Sequence, residues 1–245
     1  MLSNVSTKIL PSLFKLVENL IQTPVPSASP GEAMETDDAQ SVKEKQANNQ
    51  QSMQFVESVT DAIGHLARVC PREFLQNLFK KVVQRLLVAS TELAESNETQ
   101  EENNLRLCSL LGLAQALVAS GSLDEASLSL LFRAIRPLVR TDEHDPRVQK
   151  RGYKVLAEIC EQHKDFVTSS DRLGDLMDLM VESIVTAQVS ARHMRLKCMA
   201  LIVSGLDSSN DAQMVCITMN SKWFLRHYLL INNFSFSGCH SQDHG

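Results

Sequence analysis

The stretch DEASLSLLFRAIRPLVRTDEHDPRVQKRGYKVLAEIC, residues 124–160, decides the fold of this chain. Its two halves each carry apolar residues three, four and seven positions apart, the spacing of an amphipathic helix, and a polar break separates them. The stretch therefore predicts one helical hairpin. Because each apolar stripe is too wide for one partner helix to cover, we expect the hairpin to stack on others in an α-solenoid. The apolar positions are Leu128, Leu131, Phe132, Ile135, Leu138 and Val139 in the first helix and Val148, Val155, Leu156, Ile159 and Cys160 in the second.

The composition of the chain also favours helices. Only 5% of its 245 residues are aromatic while 43% are hydrophobic, which suits repetitive helix packing better than a sheet sandwich. The formal net charge of −5 provides no basic excess, so any contact with RNA must be local. No segment approaches the roughly 20 apolar residues of a membrane span, and no secretory signal is visible, so we expect a soluble protein without a membrane partner. The cysteines lack paired C-x-x-C spacing and are expected to be reduced.

Further hairpins precede and follow the central one. Their starts lie near Ser52, Glu102, Asp145 and Ser190, roughly 45 residues apart, which is within the range of HEAT and armadillo repeats. We therefore predict an all-α fold, a HEAT/armadillo-like α-solenoid of stacked helical hairpins over residues 52–211. Pro137 is expected to bend the first helix of the central hairpin, and the alternative is that it ends this helix.

Three other segments flank or interrupt the predicted array. Residues 1–22 predict its N-terminal helix, because apolar residues recur there at helical spacing. Residues 23–51 are acidic, rich in Pro, Ser and Gln and poor in large apolar residues, and they predict a disordered linker. Residues 212–245 lose the periodicity and predict a divergent tail, with an unstructured state left open.

No arrangement of residues predicts catalysis. The sequence has no phosphate-binding glycine loop, no G-x-S-x-G elbow and no H-E-x-x-H zinc motif. Cys160 and His163 supply only half of a four-ligand zinc site, so a core thiol beside a surface histidine is the preferred interpretation. We therefore expect a protein that is not an enzyme, with no catalytic, cofactor-binding or metal-binding residue and no small-molecule substrate.

Basic residues form two stripes, one on each helix of the central hairpin. Stacked together, the stripes would form a ridge that binds RNA phosphates or an acidic protein, with Arg192, Arg195 and Lys197 as an extension. The alternative is a pair of solvated helix faces partly neutralised by nearby acidic residues, as is common in solenoids. The candidate residues for binding RNA or a partner are Arg133, Arg136 and Arg140 in the first stripe and Arg147, Lys150, Arg151 and Lys154 in the second.

Two strings within the array resemble a known family. RTDEHDPRVQKRGYKVLAEIC, residues 140–160, and SLLGLAQALV, residues 109–118, resemble the ribosomal RNA processing protein 12 family of nucleolar HEAT-repeat proteins. The resemblance implies a non-enzymatic scaffold in ribosomal RNA processing, small-subunit pre-ribosome maturation and nuclear export. It also implies that the partners are pre-ribosomal particles, RNA and nuclear transport proteins.

The same resemblance carries expectations about location and length. It implies residence in the nucleus and nucleolus, with shuttling to the cytoplasm. Family members are much longer, so this chain is expected to be a fragment or a short isoform. The alternative function is a nuclear-transport-receptor-like or generic protein-interaction scaffold without RNA binding.

Overall fold

A computed structural model describes Ser12 and residues 58–91, 100–140 and 144–206. Apart from Ser12, the predicted N-terminal helix within residues 1–22 lies outside these described residues. The predicted linker over residues 23–51 and the predicted tail over residues 212–245 also lie outside them. The array predicted for residues 52–211 is therefore described from residue 58 to residue 206, with two gaps.

The described residues from 58 onward form eight helices and no strand, which confirms the predicted all-α class. The helical hairpin predicted over residues 124–160 is present as the fourth and fifth helices. The helices are α1 (residues 58–67), α2 (Arg72–Thr91), α3 (Gln100–Val118), α4 (Glu125–Arg140), α5 (Pro146–Gln162), α6 (Lys164–Thr168), α7 (Ser170–Glu182) and α8 (Val189–Ser204).

The helices stack in two rows. Row A runs α1, α3, α5 and α8, with α5 packed between α3 and α8, and row B runs α2, α4 and α7. Between the rows, a row A helix packs on the row B helix that precedes it in the chain, as α3 packs on α2 and α5 packs on α4. The row A helices α3, α5 and α8 begin about 45 residues apart, as HEAT-like repeats do. This order fits the predicted α-solenoid.

A continuous apolar core lies between the rows. The apolar stripe residues of α4 and α5 are at most 2% exposed, because each stripe faces helices of both rows. Helix α4 continues through Pro137 to Arg140, so the proline does not end the helix. The short helix α6, which the sequence pattern did not predict, follows α5 directly after His163 and buries Phe166 and Val167 in the same core.

Asp124 caps the start of α4. Its carboxylate accepts a 2.8 Å hydrogen bond from the backbone N–H of Ser127, one of the N–H groups that a helix start leaves without a partner. Hydrogen bonds from the Ser127 side chain and backbone lower the pKa of the Asp124 carboxyl below its usual range. The capping-box pattern that begins at Ser122 predicts this residue as the cap, but its hydroxyl donates to the carbonyl oxygen of Ser120 instead.

We expect Asp124→Ala to destabilise the chain by about 1 kcal/mol at neutral pH, because the cap bond is lost. The folded-state pKa of Asp124 is lowered, so its contribution is present above the unfolded-state pKa of about 4 and is lost as the pH falls through the folded-state value. Urea unfolding at pH 7 and pH 3 measures both effects. Asp124→Asn is the control, since asparagine caps equally well without titrating, and an equal loss in Asp124→Ala at both pH values would contradict this account.

Candidate binding surface

The first basic stripe lies on α4 and faces carboxylates of α7. The Arg140 Nε atom lies 2.9 Å from Glu182 Oε2, and Arg136 Nη1 lies 3.9 Å from Asp175 Oδ1. Arg133 is exposed on the same helix. Such surface ion pairs contribute below about 1 kcal/mol to stability, but they offset the positive potential of this stripe. An anionic ligand would therefore compete with carboxylates of the chain itself at two of the three arginines.

Arg147 joins the start of α5 to α3. Its Nη2 atom lies 2.8 Å from Glu101 Oε2 and 2.9 Å from Asp145 Oδ2. Asp145 is also the N-cap of α5, accepting a 2.7 Å hydrogen bond from the backbone N–H of Arg147. The hydrogen bonds from Arg147 lower the pKa of the Asp145 carboxyl below its usual range. Because two carboxylates hold its guanidinium, Arg147 acts as a structural link between two row A helices.

The remaining three candidates lie further along α5. Lys150 is exposed, and Arg151 and Lys154 line a groove on the outward side of row A. This surface is called here the row A groove, and its volume is about 420 Å³. Helix α3 forms its floor, α1 and α5 form its walls, and Met194 of α8 lies against α5 at its edge. Arg68, just past the end of α1, lines the same groove as the two cations of α5.

Arg68 also lines the groove, although it is not among the residues that the sequence predicts for binding. Asp61, His65 and Arg68 recur at helical spacing, so the sequence could place them on one face of α1. Arg68 and Arg151 are far apart in the sequence, so the sequence gives no reason to place this face of α1 opposite Arg151. Only the stacking of α1 and α5 on either side of α3 brings them together.

The two predicted stripes do not meet in one ridge. The arginines of α4 pair with α7 in row B, whereas Arg151 and Lys154 line a groove between helices of row A. Since the rows pack on each other through their apolar sides, the stripes lie on the outward sides of different rows. The binding of RNA or a partner by these seven residues stays a prediction.

The proposed extension onto α8 is wrong for Arg195. This residue is only 6% exposed, and its guanidinium donates to the Met180 carbonyl oxygen and to Ser183 Oγ. Burial lowers its pKa from the ordinary arginine value. Arg195 lies on the buried side of α8 with Cys198 and Ile202. The basic pattern of residues 192–197 did not indicate this burial. Lys197 is at the surface, 3.5 Å from Glu161.

A buried glutamine joins α4, α5 and the connection before α8. The Gln149 side chain is fully buried, and its Nε2 donates to the Thr186 carbonyl oxygen at 3.1 Å. Its Oε1 accepts a 2.7 Å hydrogen bond from the backbone N–H of Gln188. The Tyr153 hydroxyl, one turn further along α5, donates to the Val139 carbonyl oxygen at the end of α4. These bonds fix the hairpin against the next row A helix.

The described cysteines are reduced, as the sequence predicts. Burial raises the pKa of Cys108 to about 11 and that of Cys160 to about 12, and it also raises the pKa of Cys198. These thiols are therefore protonated at neutral pH, and they behave as small apolar core residues. Within residues 58–206 as described, no three His, Cys, Asp or Glu side chains come together as a metal site. No described helix is long and apolar enough to cross a membrane.

The sequence of this helical array is similar to that of several characterised proteins. An RRP12-like protein of Homo sapiens is 31% identical over 143 residues, which cover 57% of this chain and 10% of the human protein. Ribosomal RNA-processing protein 12 of Saccharomyces cerevisiae is 25% identical over 146 residues, covering 59% of this chain and 12% of the yeast protein. The resemblance to the ribosomal RNA processing protein 12 family is confirmed.

The similarity covers only a small part of each relative. An RRP12-like protein of Gallus gallus is 29% identical over 122 residues, covering 48% of this chain and 9% of the chicken protein. The chain thus matches about a tenth of the length of each of these family relatives. No family model matches the chain, and no solved structure matches it.

Proposed function

We propose that this chain is a non-enzymatic helical scaffold in ribosomal RNA processing and pre-ribosome maturation. The observation that supports it is the similarity to three relatives whose names refer to RRP12 or to ribosomal RNA processing. The proposal includes a place in small-subunit maturation and nuclear export, with residence in the nucleus and nucleolus and shuttling to the cytoplasm. Its partners are pre-ribosomal particles, RNA and nuclear transport proteins.

The two-row packing is suited to a scaffold. Each row presents side chains from successive helices on one continuous outward side, so a partner can contact several repeats at once. On row B, Arg136 and Arg140 are matched by carboxylates of α7. On row A, Lys150 is exposed and the neighbouring cations line a groove. We assign the binding surface to the outward side of row A, because a partner in the groove there would reach side chains of several helices at once.

Co-purification from nuclear extract tests the function. The tagged full chain is captured, and precursor ribosomal RNA in the eluate is quantified against mature ribosomal RNA and against an unrelated tagged helical protein. We expect enrichment of precursors of the small-subunit RNA. Capture of nuclear transport proteins without precursor RNA would favour the transport-receptor-like alternative. Absence of both would overturn the proposal.

Charge variants on the two rows locate the binding surface. We expect the triple variant Lys150→Gln, Arg151→Gln and Lys154→Gln to lower precursor co-purification about tenfold, because it removes the row A cations. The matched control is Arg133→Gln, Arg136→Gln and Arg140→Gln, which removes the same charge from row B. We expect the control to retain most of the signal. Equal losses in both triple variants would contradict the assignment to row A, provided that thermal unfolding shows both to be folded.

A further inference from the structure

The row A groove combines an apolar floor with cationic walls. Its floor consists of small residues, among them Gly112, Ala116 and Ala119 of the α3 region. A Cβ atom at Gly64 would lie 3.4 Å from Ala116 Cβ, so α1 approaches α3 closely along this floor. A Cβ atom at Gly112 would likewise lie 3.6 Å from the Thr60 side chain. The small residues therefore let α1 pack closely on α3, and the groove lies beside this contact, towards α5.

The walls of the groove carry more positive than negative charge. Arg68 lies at the α1 side, and Arg151 and Lys154 lie one turn apart on α5. Asp61 is the carboxylate among the described residues that line the groove, so three cations outnumber one anion there. Positive charge on both sides of an apolar floor selects a ligand that is apolar on one side and anionic along its edges.

We propose that the row A groove binds an acidic amphipathic segment of a protein partner. The proposal rests on the scaffold function above and specifies the partner class at its row A surface. The apolar side of such a segment would cover Ala119 and the Met194 side chain, and its Glu or Asp residues would pair with Arg68, Arg151 and Lys154. Gln115 and Asp61 would supply further hydrogen-bonding groups along the groove.

The lining favours a peptide over an RNA strand. Proteins bind single-stranded RNA largely by stacking its bases on aromatic side chains, and no Phe, Tyr or Trp is among the described residues that line the groove. A phosphate backbone offers no apolar surface to cover the alanine and glycine floor.

Peptide display on the full chain tests the proposal. A random library of 16-residue peptides is selected against the wild-type chain and against the variant Arg68→Gln, Arg151→Gln, Lys154→Gln. We expect wild-type selection to enrich peptides with net negative charge and apolar residues at helical spacing, and the variant to bind those peptides at least about tenfold more weakly. A fluorescent 12-nucleotide RNA provides the second arm, measured by anisotropy with both proteins.

A variant that fills the floor separates the two ligand classes. Ala119→Leu adds bulk to the groove without changing its charge, so the selected peptides should bind it at least about tenfold more weakly while thermal stability is retained. No enrichment of acidic peptides, or equal binding by wild type and charge variant, would overturn the proposal. Tighter binding of the RNA than of every selected peptide, lost in the charge variant, would assign the groove to RNA instead. If precursor RNA still co-purifies with the variant changed at Arg68, Arg151 and Lys154, the scaffold function is supported but does not depend on the groove.

Discussion

The variant Gly152→Ala is expected to unfold at lower urea concentration than the wild-type chain, with a loss of about 1–3 kcal/mol. Gly152 lies inside α5, where alanine would ordinarily stabilise a helix by roughly 0.5–1 kcal/mol. A Cβ atom at this position would lie 2.5 Å from Val139 Cγ1 and 3.5 Å from Ile135 Cγ2. Both neighbours are fully buried and β-branched, so they cannot turn away at low cost. The overlap therefore outweighs the gain in helix propensity.

Gly174 provides the matched control for this prediction. It also lies inside a helix, α7, but a Cβ atom there would meet no heavy atom within 4 Å. We expect Gly174→Ala to stabilise the chain by about 0.5–1 kcal/mol, so the two identical substitutions should have opposite signs. Far-UV circular dichroism during urea unfolding measures the midpoints of both variants. The midpoints can be compared if the dependence of the unfolding free energy on urea concentration is the same in both variants and in the wild type.

A double variant identifies the cause of the loss at Gly152. Val139→Ala alone creates a cavity and is expected to be destabilising. Combined with Gly152→Ala, it should cost less than the sum of the two single substitutions, because the new methyl group occupies the vacated space. Strict additivity, or a gain in stability for Gly152→Ala alone, would show that α4 and α5 do not pack as closely as described.

The sequence pattern identified most of the packing between the rows but not the close contact at Gly152. Apolar residues at helical spacing determine which side of a helix is buried, and the stripe positions of α4 and α5 are buried as predicted. Gly152 carries no side chain and so contributes nothing to that pattern. An isolated glycine in a helical pattern does indicate a packing reason, but it does not say which neighbour approaches.

The candidate surface was less predictable than the fold. Helical spacing correctly grouped Arg151 with Lys154, because residues three apart share a helix face. It could not show that Arg147 is held by Glu101 or that Arg195 is buried, since both depend on which helix lies alongside. Arg68 was missed for the same reason. Charge patterns within one helix are local, whereas the groove is formed by three helices that are distant in sequence.

Gln149→Met is expected to destabilise the chain by about 2–4 kcal/mol. Methionine has a similar length and shape, so the core stays filled, but it cannot replace the hydrogen bonds of the amide. The backbone N–H of Gln188 and the carbonyl oxygen of Thr186 each lose a partner in a half-buried setting, and the loss of such a partner costs about 1–3 kcal/mol per group. The loss is large because one side chain serves two backbone groups in the connection before α8.

Gln162→Met is the control on the same helix. The Gln162 side chain is exposed and donates a 3.2 Å hydrogen bond to Glu158, so its replacement should change stability by less than about 0.5 kcal/mol. Hydrogen exchange gives a local reading of the main prediction. The amide of Gln188 should exchange faster in Gln149→Met than in Gln162→Met, because its acceptor has been removed. Equal unfolding midpoints and equal exchange at Gln188 would show that Gln149 does not hold α8 to the hairpin.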